Sequence, residues 1–187
     1  NFADLDEIVN AVDFMSKKHT GALIVFSKTF DETVIERYGT KIDAKISSEL
    51  LLTIFFNKTP LHDGAAIIEN GRVAYAGAIL PLSQNNLNWK YGTRHRAALG
   101  MSEVSGATIL VVSEETGDIS FAEKGNIKKY DDLKKVKIQH PEYEEYELLL
   151  YRALCDSFGC IWNEKYVYGS KTTINSCVKF AKKCNSE

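Results

Sequence analysis

The sequence is poor in the features that mark special classes of protein. It has three prolines, four cysteines, no low-complexity run and no surplus of either charge, with 23 Lys+Arg against 25 Asp+Glu for a net charge of −2. Scarce proline and the absence of biased tracts exclude collagen-like and disordered chains. Near-neutrality excludes a global field that would hold the chain on nucleic acid or an anionic membrane, so any anion must be caught by a local cluster. The longest apolar stretches, Gly21–Phe26 and Ala107–Val112, fall far short of the ~20 residues needed to span a bilayer. No membrane contact is expected of this chain. It begins at Asn1 rather than methionine, which leaves room for an upstream segment, a membrane anchor included. Cys155, Cys160, Cys177 and Cys184 all fall in the last third. Their gaps fit neither a paired CxxC zinc site nor a disulfide framework, so reduced thiols and a cytoplasmic location are expected.

What is present is an ordinary globular composition, 44% hydrophobic and 26% charged over 187 residues. Folding a chain of this length buries roughly 70% of its unfolded surface, enough for one domain with an appendage. Leu5, Ile8, Val9, Val12 and Met15 recur at helical spacing, which predicts a leading helix over 4–19 capped by Asp4. Gly21 ends it, and Ala22–Phe26 reads as a buried strand. Ser47 precedes a second helix carrying Leu50, Leu51, Ile54 and Phe55, stopped by Asn57 and Pro60.

Asn70-Gly71, between Ala65–Ile68 and Val73–Leu80, predicts a type I′ hairpin. A regular register places Asp63 opposite Ala78 and Leu61 opposite Leu80. A helix from about Thr93 to Glu103, a strand at Ala107–Val112, a turn at Glu115–Asp118 and a strand at Ile119–Ala122 follow. The alternation predicts an α/β fold, a central twisted mixed β-sheet with helices on both faces over 1–125. Residues 126–187 read as a mostly helical appendage packed on it, with a helix bearing Leu148, Leu149, Tyr151, Leu154, Cys155 and Phe158 on one face.

Chemistry concentrates in two segments. In Gly92-Thr93-Arg94-His95-Arg96, Thr93 reads as an N-cap, and cations in a first turn oppose the helix dipole unless an anion offsets them. A bound phosphate would do so, using free amides, the Thr93 hydroxyl and guanidinium groups. The alternative is that Arg94 and Arg96 pair with Glu103 or Glu114 and His95 only packs. His62-Asp63-Gly64-Ala65 is either a turn device or, with imidazole beside carboxylate and two small residues leaving room for a ligand, a metal or substrate site. Ser113-Glu114-Glu115 offers a hydroxyl and carboxylates at a sheet edge, or simply solvated turn charges. No P-loop or GxGxxG follows any strand.

His62-Asp63-Gly64-Ala65 followed by Gly92-Thr93-Arg94-His95-Arg96-Ala97-Ala98, with Thr93 thirty residues after Asp63, resembles the paired DGA and RHR motifs of the diadenylate cyclase family. Gly21-Ala22-Leu23-Ile24, Asp43-Ala44-Lys45, Ser48-Glu49-Leu50-Leu51, Leu80-Pro81-Leu82-Ser83 and Val112-Ser113-Glu114-Glu115-Thr116-Gly117 are similar to that family too. The resemblance covers about residues 5–125. It implies a nucleotidyltransferase that condenses two ATP into cyclic di-3′,5′-AMP and two pyrophosphates with Mg²⁺ or Mn²⁺. It assigns catalysis to Asp63, Arg94 and His95, with Asp63 on the ribose 3′-hydroxyl. It assigns substrate contacts to Gly64, Ala65, Ile79, Leu80, Gly92, Thr93, Arg94, His95, Arg96 and Ser113, and metal binding to His62, Asp63, Glu114 and Glu115. At Ile79 some relatives carry a tyrosine, so the surface facing the base differs. One motif pair per chain holds one ATP, whereas the product joins two AMP units; a face-to-face homodimer is therefore required, and higher oligomers are compatible with it. A nucleotide sensor without catalysis and a metal-dependent phosphohydrolase on His62, Asp63 and His95 are the competing readings.

Overall fold

A computed structural model describes residues 2–27, 39–85 and 91–129. Helix α1 (Phe2–Lys17) leads into β1 (Ala22–Ser27), β2 (Thr40–Lys45), α2 (Ser48–Phe55), β3 (Ala65–Glu69), β4 (Arg72–Ala78), α3 (Thr93–Val104), β5 (Thr108–Val112), β6 (Ile119–Glu123) and β7 (Asn126–Lys129). The strands form one sheet in the order β2-β4-β3-β1-β5-β6-β7. Only β1 and β3 pair in parallel, Ile24 beside Ala66, among the described strands. All other neighbours run antiparallel. The expected mixed α/β sheet is borne out.

Period-2 alternation sorts the strand side chains into two cores. Ile24, Phe26, Ala66, Ile68, Leu110 and Val112 face α1 and α2. Leu23, Val25, Ala65, Ile67, Ile109 and Val111 face the Ala97–Ala98–Met101 side of α3. Helix α1 buries Ile8, Ala11, Val12 and Met15 completely, the stripe its spacing predicts. It starts at Phe2, so Asp4 lies within the first turn rather than capping it. There a carboxylate still complements the dipole. Ser47 does cap α2, its hydroxyl accepting the Leu50 amide at 3.2 Å.

The hairpin turn is as predicted, with Asn70 and Gly71 both at positive φ, as type I′ requires. Its register is not. Glu69 pairs with Arg72 and Ile68 with Val73, but Ile67 then meets Tyr75 and Ala65 meets Ala78. Two bulges on β4 have each inserted a residue, so Ala65, not Asp63, stands opposite Ala78. Gly77, at φ +68, supplies a backbone state that residues with a Cβ rarely adopt.

The sheet continues past residue 125. β7 pairs with β6, Ser120 beside Lys129, so the expected boundary falls inside a hairpin. The Lys124-Gly125 turn, with both residues at positive φ, was the overlooked signal. The appendage helix bearing Leu148–Phe158, the aromatic run Trp162–Tyr168 and the four cysteines lie outside the described residues. Among the described residues no helix is long and apolar enough to cross a membrane.

Gly100 in α3 lies against the loop after β4. A Cβ there would meet the Pro81 carbonyl oxygen and stand 2.5 Å from the Ser83 nitrogen and 2.8 Å from the Leu82 carbonyl carbon. All three are backbone atoms with little freedom to retreat. Gly100→Ala should destabilise by about 1–3 kcal/mol, a fall in Tm of roughly 3–10 °C in a thermal melt.

Candidate active site

The parallel β1–β3 pairing puts the starts of β1 and β3 at one sheet edge. Antiparallel partners bring the ends of β4 and β5 to the same edge, because Ala65 pairs with Ala78 and Ala22 with Val112. Helix α3 begins beside them. Together they enclose a cleft of about 1080 Å³ lined by Asp63 and Gly64, by Ala78–Leu82 and Gln84, by Gly92–His95, and by Val112–Glu115, floored by Leu23 and Ala97. This volume suits one nucleotide-sized ligand.

Of the expected site residues, Asp63, Gly64, Ile79, Leu80, Gly92, Thr93, Arg94, His95, Ser113, Glu114 and Glu115 all line the cleft. Ala65 is wholly buried in β3 beneath it. Arg96 is exposed and outside the lining, since one residue of helix rotates a side chain about 100° from its neighbour. His62 is outside it as well. Its Nδ1 lies 2.6 Å from the Thr59 carbonyl, which accepts the Nδ1 proton and leaves Nε2 as the free acceptor.

The start of α3 is an open donor array. Its N-cap is Gly92, not Thr93, and no side chain caps it. Thr93, Arg94 and His95 therefore present amides with no carbonyl one turn ahead of them, under the positive end of the dipole. Arg94 Nη1 donates to Glu114 Oε2 at 2.9 Å, one of the pairings the sequence left open. Arg94 Nε is buried without a hydrogen-bond partner among the described residues. Glu103, the other candidate partner, is engaged elsewhere: it accepts from the Ser83 hydroxyl at 2.6 Å and the Asn85 amide at 2.7 Å. With Ser83 N donating to Arg96 O at 3.1 Å, this straps the Pro81–Asn85 wall to α3.

His95 is 7% exposed and its ring sits 5.1 Å from that of Tyr91. Burial pushes its pKa below the ordinary imidazole value; the Lys129 and Arg94 charges lower it further and Asp118 partly opposes them. Lys129 is itself paired with Asp118 at 2.7 Å, and this pair holds the Asp118 carboxyl below its usual range. Sequence reading missed Lys129 because it assigned that residue to the appendage. It missed Leu82 and Gln84 because a loop has no periodicity to place its side chains.

The carboxylates fit one kind of metal. Among the described residues no three His, Cys, Asp or Glu side chains converge into a metal centre. Asp63, Glu114 and Glu115 offer hard oxygen donors around the cleft. Mg²⁺ commonly uses one or two carboxylates and completes its shell with phosphate oxygens and water. The set suits a divalent cation that arrives with a polyphosphate.

The architecture and cleft are those of an α/β domain with an uncapped helix start at its sheet edge. A sequence model described as "DisA bacterial checkpoint controller nucleotide-binding" (DAC) matches residues 9–127, and the chain belongs to that family. It is 42% identical over 124 residues to cyclic di-AMP synthase CdaA of Bacillus subtilis, covering 66% of this chain and 45% of that protein. It is 45% identical over 127 residues to a diadenylate cyclase of Listeria monocytogenes, with the same coverages. The chain thus spans about half the length of these curated relatives. Among solved structures, a double mutant of DacA from Staphylococcus aureus superposes with TM-score 0.69 at 40% identity, covering 81% of this chain and 95% of that one. A hypothetical membrane-spanning protein from Bacillus cereus gives 0.63 at 43% identity, covering 66% of this chain and 61% of that one.

The depressed His95 pKa has a definite sign in stability. Between its folded and unfolded values the unfolded chain binds more protons, so stability falls as pH drops through about 6.5. Urea unfolding should show little slope from this group between pH 8 and 7 and a growing one below about pH 6.5, bounded by about 1.4 kcal/mol per pH unit, and His95→Asn should flatten it.

Proposed function

We propose that this chain is the catalytic domain of a diadenylate cyclase, joining two ATP into cyclic di-3′,5′-AMP and releasing two pyrophosphates. The observation that carries the reading is the convergence of Asp63, the uncapped Thr93–His95 turn and Glu114–Glu115 on one nucleotide-sized cleft. Its relatives' names, cyclic di-AMP synthase and diadenylate cyclase, favour that chemistry over other uses of a nucleotide.

In this reading the triphosphate lies against the amides of Thr93, Arg94 and His95, with the Thr93 and Ser113 hydroxyls adding donors. These groups are in place before substrate arrives, so charge building on the α-phosphate and leaving pyrophosphate meets preorganised dipoles. The base lies along Gly64, Ile79 and Leu80, where the bulged end of the hairpin exposes backbone. Bound phosphate raises the His95 pKa against its burial and gives Arg94 an anion that competes with Glu114. A divalent cation, Mg²⁺ or Mn²⁺, held by carboxylates from among Asp63, Glu114 and Glu115, would supply charge neutralisation and acidify the attacking hydroxyl. His62 precedes Asp63 in the chain and lies outside the cleft lining.

Asp63 is exposed at the cleft mouth. One cleft holds one ATP, so two chains meet face to face, each presenting its ribose 3′-hydroxyl to the other's α-phosphorus. Each 3′-oxygen forms a bond to phosphorus as the bond to the α–β bridging oxygen breaks. Pyrophosphate leaves with that electron pair, and the hydroxyl proton passes to Asp63 and on to solvent. Such chemistry is mainly positioning, worth several orders of magnitude in rate. A substrate such as ATP, which is made and kept inside cells, is consistent with a domain that works in the cytoplasm.

With ATP and Mn²⁺ the chain should form cyclic di-AMP at a rate per chain that rises with protein concentration until dimers saturate. No cyclic dinucleotide at high concentration overturns the reading: tight ATP binding alone would indicate a sensor, and release of phosphate or AMP a phosphohydrolase. Asp63→Asn should bind ATP normally and lose about 10²-fold or more in kcat, measured by product chromatography.

A further inference from the structure

We propose that Gly21 is a positioning residue for Arg94: its missing side chain is the seat in which the guanidinium lies. The inference rests on the cyclase reading for what the guanidinium does, but its geometry stands independently. Gly21 immediately precedes β1, at the centre of the sheet. Since Ala22 pairs with Val112, Gly21 and Ser113 adjoin at the strand ends, and Glu114 follows. The Arg94 guanidinium lies over this junction. A Cβ on Gly21 would collide with Arg94 Nη1 and stand 2.7 Å from Cζ and 3.2 Å from Nε.

Two of the group's heavy atoms are thus excluded by a single methyl and a third is crowded by it. The backbone does not account for glycine here, because Gly21 is absent from the positive-φ glycines. The nearest atoms to its virtual Cβ all belong to Arg94, so the space serves that side chain. From the opposite side Glu114 Oε2 holds Nη1 at 2.9 Å, leaving the Arg94 side chain 25% exposed. Seat and carboxylate together fix a flexible side chain in one pose, which lowers the ordering cost of gripping a phosphate.

The prediction separates positioning from folding. Because the clashing atoms are the far end of a flexible side chain, Gly21→Ala displaces the guanidinium rather than the sheet. Its Tm should stay within a few degrees of wild type. Its kcat/KM for cyclic di-AMP formation should fall about 10- to 100-fold, as a displacement of the order of 1 Å in a positioning group does. Its affinity for ATP, measured by equilibrium dialysis, should fall as well.

The decisive measurement is a double-mutant cycle. With Arg94→Ala already made, Gly21→Ala should have no further effect on ATP affinity or turnover. Full activity and ATP affinity in Gly21→Ala, equal losses in both backgrounds, or a large drop in Tm would each overturn the proposal. If wild type binds ATP without making product, the cyclase reading fails while the cycle in ATP affinity still decides the role of Gly21.

Discussion

Among the described strands, β1 and β3 run the same way while every other neighbouring pair is opposed, and the cleft depends on that one parallel pairing. Were β3 reversed, Asp63 would sit at the far edge of the sheet, a strand's length from Ser113. As it is, the starts of β1 and β3 and the ends of β4 and β5 share an edge. Four separate stretches of sequence thereby become neighbours without any long excursion of chain. Completely buried residues such as Ile24, Val25, Ala66 and Ile67 hold the register. A slip of one residue would turn each strand's apolar set onto the wrong face.

Electrostatics at that edge are arranged against the ordinary rules of helix design. The first turn of α3 carries two arginines and no acid, which opposes the dipole. Within the chain this is answered only in part, through the Glu114 partner of Arg94. The remainder is an unmet demand for negative charge. An arginine nitrogen buried with no acceptor among the described residues and a histidine whose burial lowers its pKa are two further departures from what the stability of the free protein would favour.

Much of this was legible in the residues. Periodicity located the leading helix and the strands, Asn70-Gly71 located the hairpin, and the segment 92–95 pointed to the helix start that lines the cleft. What was not legible has physical causes. Bulges leave no trace in alternation, because Ala74 and Gly77 are too small to break the apolar pattern, so the register past Ile68 could not be read. Thr93 offered a hydroxyl where Gly92 does the capping, and propensity alone favours the hydroxyl. β7 has only one apolar residue, Ile127, too few to distinguish an edge strand from a solvated linker. The seat at Gly21 depends on a contact between residues 73 positions apart, which no local pattern encodes.

The strap from Glu103 to Ser83 and Asn85 joins the second wall of the cleft to the same helix that starts the anion site. Arg94 and Glu103 are separated by nine steps of α-helix, about 13 Å along its axis. Helix α3 therefore acts as a ruler. Its length and its phase, about 100° per residue, set how far the loop wall stands from the first turn of the helix, independently of the sheet below. Arg96 is the one exposed residue between these two points, and inserting or deleting a residue in this span would swing Glu103 off its partners and change the gauge of the cleft.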